Sequence, residues 1–148
     1  MKVLLVGYGR MGKEVESILF QRGHEVVCCV DPGNLEIKTS QLTVELLKQA
    51  EVAIEFSQPK AVLPNAFLYA EAGIPAVVGT TGWEKEREEV KQVILKGKTG
   101  YLWGSNFSLG AHLFYALAER AAELYDLCDS YDIMAYEIHH NQKKDSPS

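Results

Sequence analysis

The sequence predicts an α/β protein built on a doubly wound parallel sheet. Short apolar runs alternate with longer segments in which apolar residues recur every three or four positions, and this pattern continues as far as Tyr125. Strands and helices that alternate in this way form parallel sheets with helices on both faces. The chain has 148 residues, of which 47% are hydrophobic and 24% are charged, so it can bury a core of its own.

Five apolar runs are predicted to be the strands of this sheet, at residues 2–6, 25–30, 52–56, 76–78 and 101–103. The predicted helices are one that Gly23 ends, a short one that Thr43 caps, and three over residues 60–72, 84–95 and 109–125. Residues 131–139 alternate apolar and polar side chains, which predicts a strand with one solvated face. Because this pattern differs from the earlier strands, we expect a new sheet there and a domain boundary near residue 129.

The first turn, Gly7-Tyr8-Gly9-Arg10-Met11-Gly12, has the spacing of a dinucleotide-binding turn and lies between a strand and a helix. The first glycine makes the turn, the second lets the backbone approach a pyrophosphate, and the third lets the helix pack on the strand. The amino terminus of the helix then faces the phosphates. Asp31, after the second strand, can accept hydrogen bonds from the ribose hydroxyls. We expect a Rossmann-type cofactor domain; the alternative is a glycine-rich turn of another α/β protein, with Asp31 an ordinary loop residue.

Asp31 also bears on the choice between NADH and NADPH. A carboxylate at this position pairs with a free 2′-hydroxyl and repels a 2′-phosphate. Pro32, Gly33 and Asn34 supply no cation to offset that repulsion, and Arg10 is the one nearby candidate. The sequence therefore favours NADH, with NADPH as the alternative.

Small polar residues follow three more of the predicted strands. The carboxyl ends of parallel strands meet at one edge of the sheet, where open α/β sheets bind their ligands. Together with the glycine turn, four loops would converge on one site. The other three loops are Ser57-Gln58, Gly79-Thr80-Thr81 and Ser105-Asn106-Phe107-Ser108.

The last residues contain a pair of histidines, His139 and His140, followed by Lys143. An imidazole titrates near neutral pH and can donate a proton, and a lysine can hold a carboxylate. Three other interpretations are a metal pair, ordinary surface histidines and a solvated lysine loop. Neighbouring side chains on a strand diverge and no further ligand lies at zinc spacing, so we expect no metal site.

Composition excludes several classes of function. The formal net charge of −5 and the absence of a dense basic run argue against nucleic-acid binding. The sequence has no signal peptide and no apolar stretch long enough to span a membrane. Cys28 and Cys29 are adjacent on a predicted strand and Cys128 stands alone, so no disulfide framework is expected. We therefore expect a cytoplasmic protein in a reducing compartment.

With these motifs in order, the chain resembles the dihydrodipicolinate reductases of bacterial and plant lysine (diaminopimelate) biosynthesis. The resemblance covers nearly all of the chain. It rests on five motifs: Gly9-Arg10-Met11-Gly12, Glu55-Phe56-Ser57-x-Pro59, Gly79-Thr80-Thr81-Gly82, Asn106-Phe107-Ser108-x-Gly110 and Glu137-x-His139-His140-x-x-Lys143-x-Asp145-x-Pro147-Ser148.

The resemblance implies an oxidoreductase that uses NADH or NADPH. Its substrate would be 4-hydroxy-tetrahydrodipicolinate, a cyclic dicarboxylate made from aspartate semialdehyde and pyruvate, and its product tetrahydrodipicolinate. It implies that His139 is the proton donor, Lys143 a second catalytic residue and His140 a substrate contact. Residues 79–81 and 105–108 would lie along the nicotinamide and its ribose. It further implies a homotetramer, formed through the sheet of a second domain.

The chain departs from the family pattern in two places. Its glycine turn, Gly7-Tyr8-Gly9, is one residue shorter than is usual, and the Gly-Thr that the family has after Pro-Ser lies beyond Ser148. We therefore expect residues 1–129 to be a cofactor domain with its following helix, and residues 130–148 the start of a truncated substrate domain. Two alternatives remain, an NAD-binding sensor module and a relative of the aspartate or homoserine dehydrogenases.

Overall fold

The computed structural model describes residues 1–37, 39–136 and 138. The chain forms two units, residues 1–107 and residues 108–148. The strands are β1 (Lys2–Val6), β2 (Glu25–Val30), β3 (Val52–Glu55), β4 (Ala76–Val78) and β5 (Tyr101–Trp103). The helices are α1 (Arg10–Gln21), α2 (Val44–Leu47), α3 (Pro59–Ala72), α4 (Arg87–Gly97, after a 3₁₀ turn at Glu84–Glu86) and α5 (Leu109–Tyr125).

The five strands form one parallel sheet in the order β2-β1-β3-β4-β5. From β1 the chain moves outward to β2, and it then crosses back to add β3 on the other side of β1. The direction of winding therefore reverses between β1 and β3, and open α/β sheets bind their ligands at the carboxyl ends of the strands where such a reversal occurs. The predicted fold class, a doubly wound parallel sheet, is confirmed.

Helices cover both faces of the sheet because alternate residues of each strand point to opposite sides. Leu4 and Val6 of β1 enter a core with residues of α3 and α4, whereas Val3 and Leu5 pack with Leu19 of α1. Cys28 and Cys29 likewise pack against different cores, and both thiols are free.

The boundaries of the elements follow local signals in the sequence. Thr43 caps α2 by accepting a hydrogen bond from the Leu46 amide at 3.3 Å, and Gly73 ends α3 in the left-handed region at φ 69°. The structure begins α3 at Pro59, one residue before the prediction, because proline suits the first position of a helix. It ends β3 at Glu55 rather than Phe56.

The second unit begins with α5, which Ser108 caps by accepting from the Ala111 amide at 3.3 Å. The prediction of a strand over residues 131–139 is wrong for the part of it that the structure describes, because residues 131–136 and 138 are in no strand. A strand needs a neighbour for its backbone hydrogen bonds, and none of the described residues pairs with this segment. His139, His140 and Lys143 lie outside the described residues.

No helix in the described part of the chain combines the length and the apolar character needed to cross a bilayer.

Candidate cofactor site

Two turns meet at the carboxyl ends of β1 and β3, the glycine turn after β1 and the turn after β3. Gly7 holds the two turns together. Its φ of +87° is a conformation that side-chain-bearing residues rarely adopt, and a Cβ there would lie 2.1 Å from the carbonyl oxygen of Phe56. Its amide donates to the Val30 carbonyl at 2.8 Å. The turn is thus fixed to β2 as well as to β3.

The other two glycines shape the start of α1. A Cβ on Gly12 would lie 2.4 Å from the Gly7 carbonyl oxygen, so only glycine lets the helix begin this close to the turn. A Cβ on Gly9 would meet nothing within 4 Å. Gly9 is the N-cap residue and provides no side-chain cap, which leaves first-turn N–H groups available to an anion at the positive end of the helix dipole. This is the arrangement that binds a pyrophosphate.

Asp31 clamps the shortened glycine turn. One oxygen of its carboxylate accepts from the Tyr8 amide at 2.7 Å, and the other accepts from the Gly33 amide at 2.8 Å. The Asn34 side chain donates to the Tyr8 carbonyl at 3.0 Å. Each carboxylate oxygen can accept a further hydrogen bond, so Asp31 can hold the turn and still meet a ribose hydroxyl. The structure therefore places Asp31 against the glycine turn.

Two more carboxylates lie around this part of the edge. Glu36 forms an ion pair with Lys13 of α1 at 2.9 Å, and Lys13 lies 5.8 Å from the centre of the Tyr8 ring. The Tyr8 hydroxyl donates to Glu16, and that hydrogen bond, with burial of the phenol, raises the pKa of Tyr8 to about 12. Tyr8 therefore stays neutral at ordinary pH, and its side chain packs against the core between β1 and α1.

The turns after β3 and β4 are joined by hydrogen bonds. The Ser57 amide donates to the Thr80 hydroxyl at 2.8 Å, and the Thr80 carbonyl accepts from the indoles of Trp83 at 2.7 Å and Trp103 at 3.0 Å. The Thr80 side chain is buried, so it supports the Ser57 turn from inside. Thr81, the next residue, is exposed at the edge.

Phe56 fills the space between the neighbouring turns. A Cβ on Gly79 would lie 2.1 Å from a carbon of the Phe56 ring, so the ring lies directly against the backbone that follows β4. Together with the contact of its carbonyl with Gly7, Phe56 spaces the turns after β1, β3 and β4. Gly79 is thus required for packing, whether or not it also meets a ligand.

Glu55 is a buried carboxyl that the sequence-based site prediction missed. It is the last residue of β3, has no exposed surface and accepts from Ser57, Asn65 and Tyr69. Removal from water raises the pKa of Glu55, although the three hydrogen bonds oppose that shift. The signal in the sequence was a lone acid at the end of the otherwise apolar run Val-Ala-Ile-Glu-Phe.

The predicted loop after β5 is divided between the two units. Ser105, Asn106 and Phe107 are exposed residues of the first unit, and Ser108 belongs to the second as the cap of α5. No group of three or more potential metal ligands occurs among the residues that the structure describes.

A groove of about 900 Å³ runs along α4 and β5, and none of the predicted site residues lines it. Its walls include Trp83, Val90, Ile94, Tyr101 and Trp103. Its volume alone does not make it the site, because the glycine turn, the helix amino terminus and Asp31 all lie at the carboxyl edge of the sheet.

The parallel sheet and its glycine turn define an NAD(P)-binding domain of the Rossmann type. Residues 1–107 match the family described as "Dihydrodipicolinate reductase, N-terminus". The matched segment covers more than half of the 148 residues and coincides with the first structural unit. The chain therefore belongs to the dihydrodipicolinate reductase family.

Curated relatives are similar along the whole chain. The 4-hydroxy-tetrahydrodipicolinate reductase of Christiangramia forsetii is 36% identical over 148 residues, and that of Staphylococcus aureus is 37% identical over 150 residues. Each match covers 100% of this chain but only 59% and 60%, respectively, of the relative. The chain therefore spans about three fifths of the length of these enzymes.

Solved structures are also similar to this chain. A dipicolinate-bound dihydrodipicolinate reductase from Paenisporosarcina sp. matches with a TM-score of 0.68 and 25% identity, covering 100% of this chain and 61% of that one. Aspartate dehydrogenase from Thermotoga maritima matches with a TM-score of 0.55 at 17% identity, over 80% of this chain and 52% of its own. At that identity the second similarity concerns the fold alone.

Proposed function

We propose that the natural protein containing this chain reduces 4-hydroxy-tetrahydrodipicolinate to tetrahydrodipicolinate, and that this chain supplies its cofactor site. The observation that carries the proposal is the open space at Gly9, above an α1 amino terminus without a side-chain cap and beside Asp31. Membership of the reductase family and the names of the full-length relatives support the choice of reaction.

NADH is the preferred cofactor in this proposal. The exposed first turn of α1, with Arg10 and Met11, would receive the pyrophosphate, and Asp31 would accept from the 2′-hydroxyl of the adenosine ribose. A 2′-phosphate would meet the Asp31 carboxylate, and Lys13, a cation of the same helix, is already paired with Glu36. NADPH would therefore bind more weakly.

The remaining predicted residues would serve the nicotinamide half and the substrate. The bound cofactor supplies a hydride. Gly79 and Thr81 after β4, and the segment Ser105-Asn106-Phe107-Ser108, would border the nicotinamide and its ribose. Thr80 would act from inside, through its hydrogen bond to Ser57.

His139, His140 and Lys143, near the carboxyl end of the chain, would act on the substrate. The 4-hydroxyl group of the substrate must leave as water, which gives a conjugated imine. Hydride addition to that imine leaves negative charge that an acid must quench, and an imidazole near its pKa is suited to that task. We assign the proton donor to His139, a second catalytic role to Lys143 and substrate contact to His140, on the family motif that they match. A lysine cation also suits a substrate with two carboxylates. We further propose that the protein forms a homotetramer and that it is located in the cytoplasm.

The test is an assay of the natural protein containing this chain. The substrate is generated from pyruvate and aspartate semialdehyde, and loss of the reduced nicotinamide absorbance is followed with NADH and with NADPH. We expect substrate-dependent oxidation that is more efficient with NADH. Binding of NADH without any oxidation in the presence of substrate would instead indicate a sensor module.

A further inference from the structure

Three donors from two parts of the fold converge on the carboxyl group of Glu55. Asn65 donates to it at 2.8 Å and Tyr69 at 2.7 Å, and both lie on one face of α3, four positions apart. The third donor is the hydroxyl of Ser57, in the turn that follows β3. The carboxyl group thus connects the interior of the helix layer to a turn at the cofactor edge.

Packing alone does not explain an acid at this position. Glu55 is fully buried in a core of aliphatic and aromatic residues, and taking a carboxyl group out of water is costly unless hydrogen bonds replace the lost hydration. An apolar residue at the end of β3 would fill the space without that cost. It would, however, leave the Ser57 turn without its attachment to α3.

The attachment continues from Ser57 into the next turn. The Ser57 hydroxyl donates to Glu55, while its amide donates to the Thr80 hydroxyl at 2.8 Å. The backbone repeats the connection, because the Gly79 amide donates to the Glu55 carbonyl at 2.8 Å. The turns after β3 and β4 are therefore fixed to each other and, through one side chain, to α3.

We propose that Glu55 is a positioning residue of the cofactor site, holding the turns after β3 and β4 in place through the Ser57 hydroxyl. Glu55 has no exposed surface, so it acts only through its neighbours. The inference rests on the proposed function, because it takes the cofactor to lie along these two turns.

A pair of single-hydroxyl deletions separates positioning from stability. Ser57→Ala removes the donor at the turn, and Tyr69→Phe removes a donor to the same carboxyl group from the α3 side. Both variants leave Glu55 with two of its three donors, so each is expected to fold. Ser57→Ala should weaken NADH binding about three- to tenfold, the equivalent of one hydrogen bond, and Ser57→Thr should restore it. Tyr69→Phe should lower the melting temperature and leave NADH affinity within about twofold.

A double-mutant cycle tests whether Ser57 acts through Glu55. Calorimetric titration with NADH is made on the wild type, Glu55→Gln, Ser57→Ala and the double variant, well below their melting temperatures. Positioning predicts that Ser57→Ala has a smaller effect on affinity when Glu55 is already replaced. Additive effects, or equal loss of affinity in Ser57→Ala and Tyr69→Phe, would overturn the inference while leaving the cofactor site intact. If the wild type binds neither NADH nor NADPH, the proposed function fails first and the inference with it.

Discussion

At the residue scale, the three glycines of one turn are needed for different structural reasons. Gly7 supplies a positive φ and a close approach to β3, Gly12 supplies a close approach of α1 to the turn, and Gly9 supplies only open space. The first two are requirements of the fold, whereas we propose that the third is a requirement of the ligand. A substitution at each position therefore has a separate signature.

Gly9→Ala and Gly12→Ala form a matched pair. Gly9→Ala should cost about 1 kcal/mol of stability or less, because its methyl meets nothing and alanine is only a poorer N-cap. It should nevertheless weaken NADH binding at least tenfold, because the methyl occupies the approach of the pyrophosphate.

Gly12→Ala should instead destabilise the domain by about 1–3 kcal/mol, because its methyl meets the Gly7 carbonyl oxygen. Urea unfolding and NADH titration of both variants measure the two effects. Equal loss of stability in the two variants would contradict the distinction between them.

The sequence was sufficient to predict the glycine turn, but it was not sufficient to predict the hydrogen bonds that hold this turn and the turn after β3. Gly7, Gly9, Gly12 and Asp31 belong to a pattern whose spacing is local, so it can be recognised without a structure. The hydrogen bond from the Tyr8 amide to Asp31 joins residues 23 positions apart, so the local pattern could not predict it. The hydrogen bonds of Glu55 depend on where α3 packs, which no local pattern specifies.

At the scale of elements, β3 and α3 form the unit that carries the buried acid. Tyr69 and Tyr101 are the titratable side chains that interact with Glu55, and the pKa of each is raised, chiefly by burial. Both phenols therefore stay neutral through the pH range in which Glu55 titrates. A pH dependence of stability that arises in this cluster is then attributable to the carboxyl group of Glu55.

Glu55→Gln should change how stability depends on pH. Burial raises the pKa of Glu55 above its usual 4.5, so the folded state holds a proton that the unfolded state releases. The stabilisation from this proton is complete below pH 4.5 and is lost as pH rises through the folded-state pKa.

Glutamine is neutral throughout, so the stability of Glu55→Gln relative to the wild type should increase from pH 5 to pH 8, roughly the interval above the usual pKa of a glutamate. Urea unfolding of both proteins at the two pH values measures this, with the exposed Glu71→Gln as the control. A difference in unfolding free energy that stays constant with pH would contradict the raised pKa.

The elements of the sheet were predictable because each is defined by its own sequence. The strands β1, β2, β4 and β5 have the predicted bounds, and β3 differs by one residue. The predicted strand at 131–139 had a suitable alternating pattern, but a strand also needs a partner, and alternation says nothing about where a partner comes from. Pairing is a property of the sheet rather than of the segment.

At the scale of the whole molecule, the first unit and the family match cover the same residues, 1–107. All residues in the two buried core clusters lie within this unit. The domain boundary near residue 129, between a cofactor domain and the start of a substrate domain, stays a prediction. The roles assigned to His139, His140 and Lys143 also stay predictions.

His139→Gln tests the division of work between cofactor binding and proton transfer. General acid catalysis contributes about 10²–10⁴-fold, so turnover in the natural protein should fall by that order while the affinity for NADH is unchanged. His24→Gln is the control, because His24 lies outside the motif. Its Nδ1 lies 3.4 Å from the amino-terminal nitrogen of Met1. Unchanged turnover in His139→Gln would remove that residue from the mechanism.

The carboxyl edge of this sheet belongs to an NAD(P)-binding domain, and we propose that it binds NADH in preference to NADPH. Calorimetric titration of the chain with NADH and with NADPH tests it most directly. We predict one NADH per chain, weaker binding of NADPH, and a smaller difference between the two in Asp31→Ala. Binding of neither cofactor, or tighter binding of NADPH by the wild type, would contradict the account.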